Sequence, residues 1–290
     1  MLWLIPILLI VLPLSACTFQ TPARSGSAPA SRLIQNKGSD TIVNLALAWA
    51  EAYAETHPEV AISVTGGGSG TGIAALINGT VDIANASRSM KAKEMETAKA
   101  NGVDPVEFTI ARDAIAVVVN PLNPVDQLTI DQISDIYTGK ITNWKDVGGE
   151  DRPIVLTSRE SNSGTYVYFL EHVVRKGDKE SDLLFSPEAL LLPSSEGISL
   201  ETSRNANAIG YDGLGYVTSE QKTVRIGRTA AGPFVTPRID TVNSGDYPIA
   251  RPLYMYTDGQ PTGEIATYLD WIAGDEGQAI VKELGFVPLH

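Results

Sequence analysis

Three short segments gather hydroxyl residues and glycine where an extended run gives way to a helical pattern. They are Lys37-Gly38-Ser39-Asp40-Thr41, Gly66-Gly67-Gly68-Ser69-Gly70-Thr71-Gly72 and Ser158-Arg159-Glu160-Ser161-Asn162-Ser163-Gly164-Thr165. The chemistry open to them is anion binding. The first N–H groups of a helix have no partner within it, and the aligned peptides place about half a positive charge there. Glycine lets a ligand approach the backbone, and serine or threonine adds a hydroxyl donor, so such a terminus holds an anion without net positive charge. Capping is the competing use, because Ser, Thr and Asp precede helices simply to satisfy those N–H groups. For one segment capping suffices. Three in one chain, with more glycine in residues 66–72 than a cap requires, favour the anion.

Two other phosphate-loop patterns do not fit. Gly67 and Gly72 have P-loop spacing, but Ile73-Ala74 follow where lysine and a hydroxyl residue are needed, and no register of residues 66–72 gives Gly-x-Gly-x-x-Gly. Arginine is the natural charged partner, since a guanidinium matches two phosphate oxygens at once. Arg159 lies inside the third segment, and Arg88 follows Asn85-Ala86-Ser87. A solvated surface ion pair is the bland reading of either.

Catalysis is poorly supported. A serine nucleophile needs a base within hydrogen-bond reach. The three histidines, His57, His172 and His290, sit in no triad motif, and Ser69 lacks the Gly-x-Ser-x-Gly elbow because Thr71 follows Gly70. One cysteine and dispersed histidines give no transition-metal ligand pattern, and no metal or cofactor is expected. The net charge of −12 argues against nucleic acid. It also repels small anions at long range, so an anion site here must act through close donors.

The elements that must position these loops follow from periodicity. Ile42, Leu45, Ala46, Trp49 and Tyr53 share a helical face, as do Tyr166, Phe169, Leu170 and Val173. Residues 81–86, 114–119 and 154–157 read as strands, residues 208–217 as a strand broken by glycines, and residues 263–284 as one final helix. Alternating strands and helices predict an α/β fold with mainly parallel sheets.

Residues 2–14 are almost wholly apolar and lead into Leu14-Ser15-Ala16-Cys17, which holds the chain's single cysteine. The run is too short for a relaxed membrane span and suits a signal peptide over residues 1–16. Residues 18–31, rich in Ser, Pro, Ala and Gly, predict a flexible tether with a span of roughly 20 Å.

The run Leu-Ser-Ala-Cys resembles a bacterial lipoprotein box, which implies acylation of Cys17 and anchoring to the cell membrane. Six further motifs resemble, in order, the phosphate-binding proteins of the phosphate-specific ABC transporter. They are Gly38-Ser39-Asp40-Thr41, Gly66 to Gly72, Val81-Asp82-Ile83 to Ser87-Arg88, Arg159 to Thr165, Asn207-Ala208-Ile209-Gly210-Tyr211 with Leu214-Gly215-Tyr216, and Tyr247-Pro248-Ile249-Ala250-Arg251-Pro252-Leu253.

The resemblance implies a two-lobe periplasmic binding protein, a type II flytrap with paired hinge strands. Residues 17–32 would be the anchored tether, residues 33–112 plus 245–290 the first lobe, and residues 113–244 the second. It implies an extracytoplasmic monomer, not an enzyme, that captures inorganic phosphate and delivers it to ABC transporter permease subunits. Carried over by motif, Ser39, Thr41, Ser69, Ser87, Arg88, Arg159, Ser163, Gly164 and Thr165 would hold the anion.

Many relatives carry an aspartate where this chain has Arg88, and that aspartate accepts a hydrogen bond from the protonated phosphate, so that a fully ionised sulfate is rejected. Asp40 is the candidate replacement here, with capping as its alternative. Sulfate, molybdate or tungstate in the same fold remains open, as do a phosphoester hydrolase and a surface adhesin or sensor.

Overall fold

The computed structural model describes residues 32–290. The signal segment, Cys17 and the tether through Ser31 lie outside the described residues. Among the described residues no helix is long and apolar enough to cross a membrane.

The chain alternates as its periodicity predicts: β1 (Arg32–Gly38), α1 (Asp40–Thr56), β2 (Val60–Thr65), α2 (Ser69–Ile77), β3 (Ile83–Ala86), α3 (Ala92–Ala100) and β4 (Pro105–Val119). Next come β5 (Gln127–Thr129), α4 (Ile130–Tyr137), β6 (Val155–Arg159), α5 (Gly164–Phe169), β7 (Leu190–Leu192), α6 (Ser195–Arg204) and β8 (Ala208–Gly213). Short β9 (Lys222–Thr223), β10 (Arg225–Gly227), β11 (Phe234–Val235) and α7 (Ile239–Asn243) precede β12 (Ala250–Asp258), α8 (Gly263–Ala273) and α9 (Asp275–Glu283).

The main sheet has the order β2-β1-β3-β12-β4-β8-β6-β7. It is mixed rather than mainly parallel. β1 pairs in parallel with β2 and β3, and β6 with β7 and β8, but β12–β3, β12–β4 and β4–β8 are antiparallel. The cause lies in β4 and β12, which run side by side in opposite directions. Residues 105–114 of β4 pair with β12, and residues 115–119 pair with β8. One strand therefore serves both halves of the molecule.

The two largest cores divide around that strand. Ile34, Ile42, Leu45, Trp49, Ala111, Leu253, Met255, Tyr268 and Ile272 belong to one. Ala114, Val117, Ile133, Tyr137, Trp144, Phe169, Ile209, Tyr211 and Ile249 belong to the other. The change of core falls between Ala111 and Ala114 on β4, and between Ile249, just before β12, and Leu253 within it. The two lobes of the fold are thus joined by a pair of strands.

The expected final helix is two helices, broken at Gly274. Both must turn an apolar face onto α1, and one straight rod does not do this. A β-carbon on Gly277 would sit 2.4 Å from the Ile272 carbonyl oxygen, so the second helix folds tightly over the end of the first. Trp49 Nε1 then donates to Gly277 O at 2.8 Å. The strand expected over residues 208–217 stops at Gly213 and passes into a short 3-10 turn, Leu214–Tyr216.

Candidate functional site

The order β2-β1-β3 sets the ends of β1 and β3 together, and strand ends are where open α/β sheets bind ligands. Ser39 donates its N–H to Asn85 O at 2.9 Å. Its hydroxyl does not cap α1 but donates to Ser87 Oγ at 2.9 Å. Ser87 N–H donates to Ser69 Oγ at 3.0 Å, and the two hydroxyl oxygens lie 3.3 Å apart. Three serines from three turns thus meet in a buried cluster, with Thr41 buried one helical step further on.

The opposite wall comes from β6 and α5. Ser163 is a true cap, its Oγ accepting from the N–H groups of Thr165 and Tyr166 at 3.2 and 3.4 Å. Arg159 is held by its own lobe, donating to Pro193 O and Ser195 Oγ, both at 2.9 Å. Ser195 Oγ donates in turn to Asp212 Oδ1 at 2.8 Å. Asp212 is buried, and burial above all pushes its carboxyl up to about 6, against the pull of Arg159 and of the bonds from Ser195 and Gly213.

The walls touch across the cleft. Arg159 donates to Asp40 Oδ2 at 2.7 Å, while Asp40 Oδ1 accepts the N–H of Gly67 at 2.9 Å. Thr41 Oγ1 and Thr165 Oγ1 lie 2.8 Å apart. Gly70 N–H donates to Asn162 O at 2.9 Å, and Asn162 Nδ2 to Gly67 O at 3.0 Å. Approach this close explains the glycines. Gly68 has φ +89°, and a β-carbon there would lie 2.7 Å from Asn162 O. A β-carbon on Gly164 would lie 2.2 Å from Ser69 Oγ and 2.5 Å from Ser87 Oγ.

The structure therefore brings together Ser39, Asp40, Thr41, Ser69, Ser87, Arg159, Ser163, Gly164 and Thr165. Arg88 is drawn elsewhere. Its guanidinium makes a bidentate pair with Glu94, at 2.8 and 2.7 Å. Glu94, third residue of α3, also accepts the Lys91 N–H at 2.8 Å, so helix capping places this carboxylate beside the arginine. Burial alone would raise the Glu94 pKa, but Arg88 and the Lys91 N–H outweigh it and lower it.

A second arginine does reach the hydroxyls. Arg251 on β12 donates through one terminal nitrogen to Thr165 Oγ1 at 2.9 Å and Thr41 Oγ1 at 3.4 Å, and through the other to Ser87 O at 2.9 Å. Its counter-ion is Asp113 of β4 at 3.0 Å. Burial raises the Asp113 pKa, opposed by Arg251 and the Leu214 N–H. Periodicity and loop composition point to neither residue. The available signal was a carboxylate at the mouth of an apolar run, Arg112-Asp113 directly before Ala114-Ile115-Ala116-Val117-Val118-Val119, since charges drawn into such a run are buried only when paired.

These features can be set beside known proteins. A profile described as PBP superfamily domain matches residues 23–276. Phosphate-binding protein PstS of Pseudomonas aeruginosa is 33% identical over 273 residues, spanning 88% of this chain and 83% of its own. The chain belongs to the PstS phosphate-binding family of the PBP superfamily. Another member, PstS of Bacillus subtilis, is 32% identical over 265 residues, spanning 91% of this chain and 83% of its own. A Clostridium perfringens substrate-binding protein solved with bound phosphate superposes with a TM-score of 0.79 at 34% identity, over 89% of this chain and all of that one (100%). An ABC-type phosphate transport receptor from Vibrio cholerae superposes with a TM-score of 0.69 at 30% identity, over 88% of this chain and 99% of its own.

Proposed function

We propose that the chain captures inorganic phosphate between its two lobes and delivers it to the permease subunits of an ABC transporter. One observation carries this reading: the buried hydroxyls of Ser39, Thr41, Ser69, Ser87 and Thr165 converge from turns on both lobes, beside Arg159. A tetrahedral oxyanion needs many short-range donors on several sides, and an acidic protein can supply them only locally. The family membership and the phosphate-bound relative support the same ligand.

The chain acts by reversible capture, without chemistry. His57 stacks on Tyr53, His172 stacks on Tyr168, and His290 faces Asp275 at 3.5 Å. None of these contacts places an imidazole on Ser69 or Ser163. The lobes of this reading are residues 33–112 with 245–290, and residues 113–244, hinged at β4 and β12 in the manner of binding-protein closure. Signal cleavage after residue 16, acylation of Cys17 and the tether over residues 17–32 would hold a monomer at the outer face of the membrane.

Calorimetric titration of the protein, unfolded and refolded to strip carried-over ligand, tests the ligand. Tight phosphate binding with weak sulfate binding is expected. Equal binding of both, or of sulfate alone, would keep the fold and overturn the ligand.

A further inference from the structure

Arg251 stands in register with Asp113, one rung from Ala250 and Ala114, the pair that ends the β12–β4 ladder. Both side chains are buried, at 1% and 0% exposure. The guanidinium faces four groups besides Asp113: Ser87 O, Thr41 Oγ1, Thr165 Oγ1 and the ring of Tyr168, whose centroid is 5.7 Å from its central carbon. Thr41 and Ser87 sit on turns of one wall of the cleft, Thr165 and Tyr168 on α5 of the other.

Arginine has only donors, whereas a threonine hydroxyl has one proton and two lone pairs. An oxygen that accepts an N–H from Arg251 must direct its own proton elsewhere. One terminal nitrogen of Arg251 donates to Asp113 Oδ2 at 3.0 Å and to Thr165 Oγ1 at 2.9 Å, with Thr41 Oγ1 sharing at 3.4 Å, and the two threonine oxygens lie 2.8 Å apart. One of the two hydroxyls donates to the other, and the single remaining proton points away from the arginine, free for an acceptor in the cleft. An ionised phosphate oxygen can only accept, so it is met by donors. Asp113 neutralises the arginine, which then acts on the ligand through the hydroxyls rather than as a free charge.

We propose that Arg251 is a positioning residue that sets the hydrogen-bond polarity of the phosphate site, turning the Thr41–Thr165 pair into a donor and linking it to the strand pair that joins the lobes. The proposal rests on the phosphate reading above. It goes beyond that reading by giving the role of second arginine to a residue that acts through others.

The test is a double-mutant cycle on phosphate affinity, by calorimetry, with wild type, Arg251→Gln, Thr165→Val and the pair. Arg251→Gln should weaken phosphate binding by about 10–100-fold, the range of a charge-assisted hydrogen bond. Thr165→Val should cost about tenfold alone and almost nothing further in the Arg251→Gln background. A merely structural arginine would give losses that multiply.

Because Arg251→Gln leaves Asp113 unpaired, Asp113→Leu with Arg251→Met, which removes both charges together, carries the same titrations with its melting recorded. Losses that multiply, or affinity within about threefold of wild type in a folded variant, would overturn the proposal alone. A wild type that binds no phosphate would overturn the reading beneath it, and this proposal with it.

Discussion

Asp40 and Arg159, 119 positions apart in the chain, meet at 2.7 Å across the cleft. The same carboxylate accepts the N–H of Gly67. All three sequence-predicted loops therefore converge on one side chain, and the pair is only slightly exposed, at 13% and 1%. A charge-assisted bond in such a setting is stronger than one between neutral groups.

Replacing Asp40 separates two roles. As a latch between the lobes, it should strengthen phosphate and sulfate binding alike, so Asp40→Ala should weaken both by about tenfold or more. As the acceptor for the proton of phosphate, it should favour phosphate alone. We expect the ratio of the two affinities, measured by calorimetry, to fall as well. Parallel losses with an unchanged ratio would leave Asp40 a latch only.

The two arginines singled out from sequence should behave differently. Arg159 contacts Asp40 and is buried beside the hydroxyl cluster, whereas Arg88 is held by Glu94. Arg159→Ala should abolish measurable phosphate binding at micromolar protein. Arg88→Ala should change the dissociation constant by less than about fivefold, its main cost being lost stability, because it leaves Glu94 without its partner. A large affinity loss on Arg88→Ala would return that residue to the site.

Gly164→Ala adds one methyl group where two serine oxygens already stand within 2.5 Å. Overpacking of this kind costs about 1–3 kcal/mol. Here the cost falls on the approach of the lobes rather than on either core. The expected outcome is a loss of phosphate affinity of about 10–100-fold with a melting temperature close to wild type. A large drop in melting temperature with normal affinity would contradict it.

Asp212 gives a pH dependence of stability. Its folded pKa of about 6 lies above the ordinary 3.8, so the native state binds the proton more tightly than the unfolded chain. The cost is absent below about pH 4, grows as pH rises towards 6, and is complete above that. Asp212→Asn should therefore gain stability relative to wild type as pH rises from 4 to 7, on the order of 3 kcal/mol. Urea midpoints across that range check it. A difference independent of pH would show that burial of the charge is not the cause.

Much of this architecture was legible because it is written in short-range patterns. The α1 stripe of Ile42, Leu45, Ala46, Trp49 and Tyr53 is buried as its spacing predicts. Thr129 caps α4, with Gln132 reaching back to complete the box. The excess of glycine in residues 66–72 is explained by positive φ at Gly67 and Gly68 and by the nearness of Asn162. Less legible was the end of a helix at Gly274, since periodicity continues through a sharp turn whenever both halves face the same core.

What the sequence determined by itself was the set of strand–loop–helix units and the donors each unit carries, because caps, turns and helical faces depend on neighbours a few residues away. Only the tertiary structure decided which charges share the site. Arg88 is matched by Glu94 through the capping geometry of α3, and Arg251 is matched by Asp113 through the register of two strands 138 positions apart. A buried guanidinium costs too much without a carboxylate. Where each arginine ends up is therefore settled by which carboxylate the fold brings to it, and that pairing is a property of the whole chain.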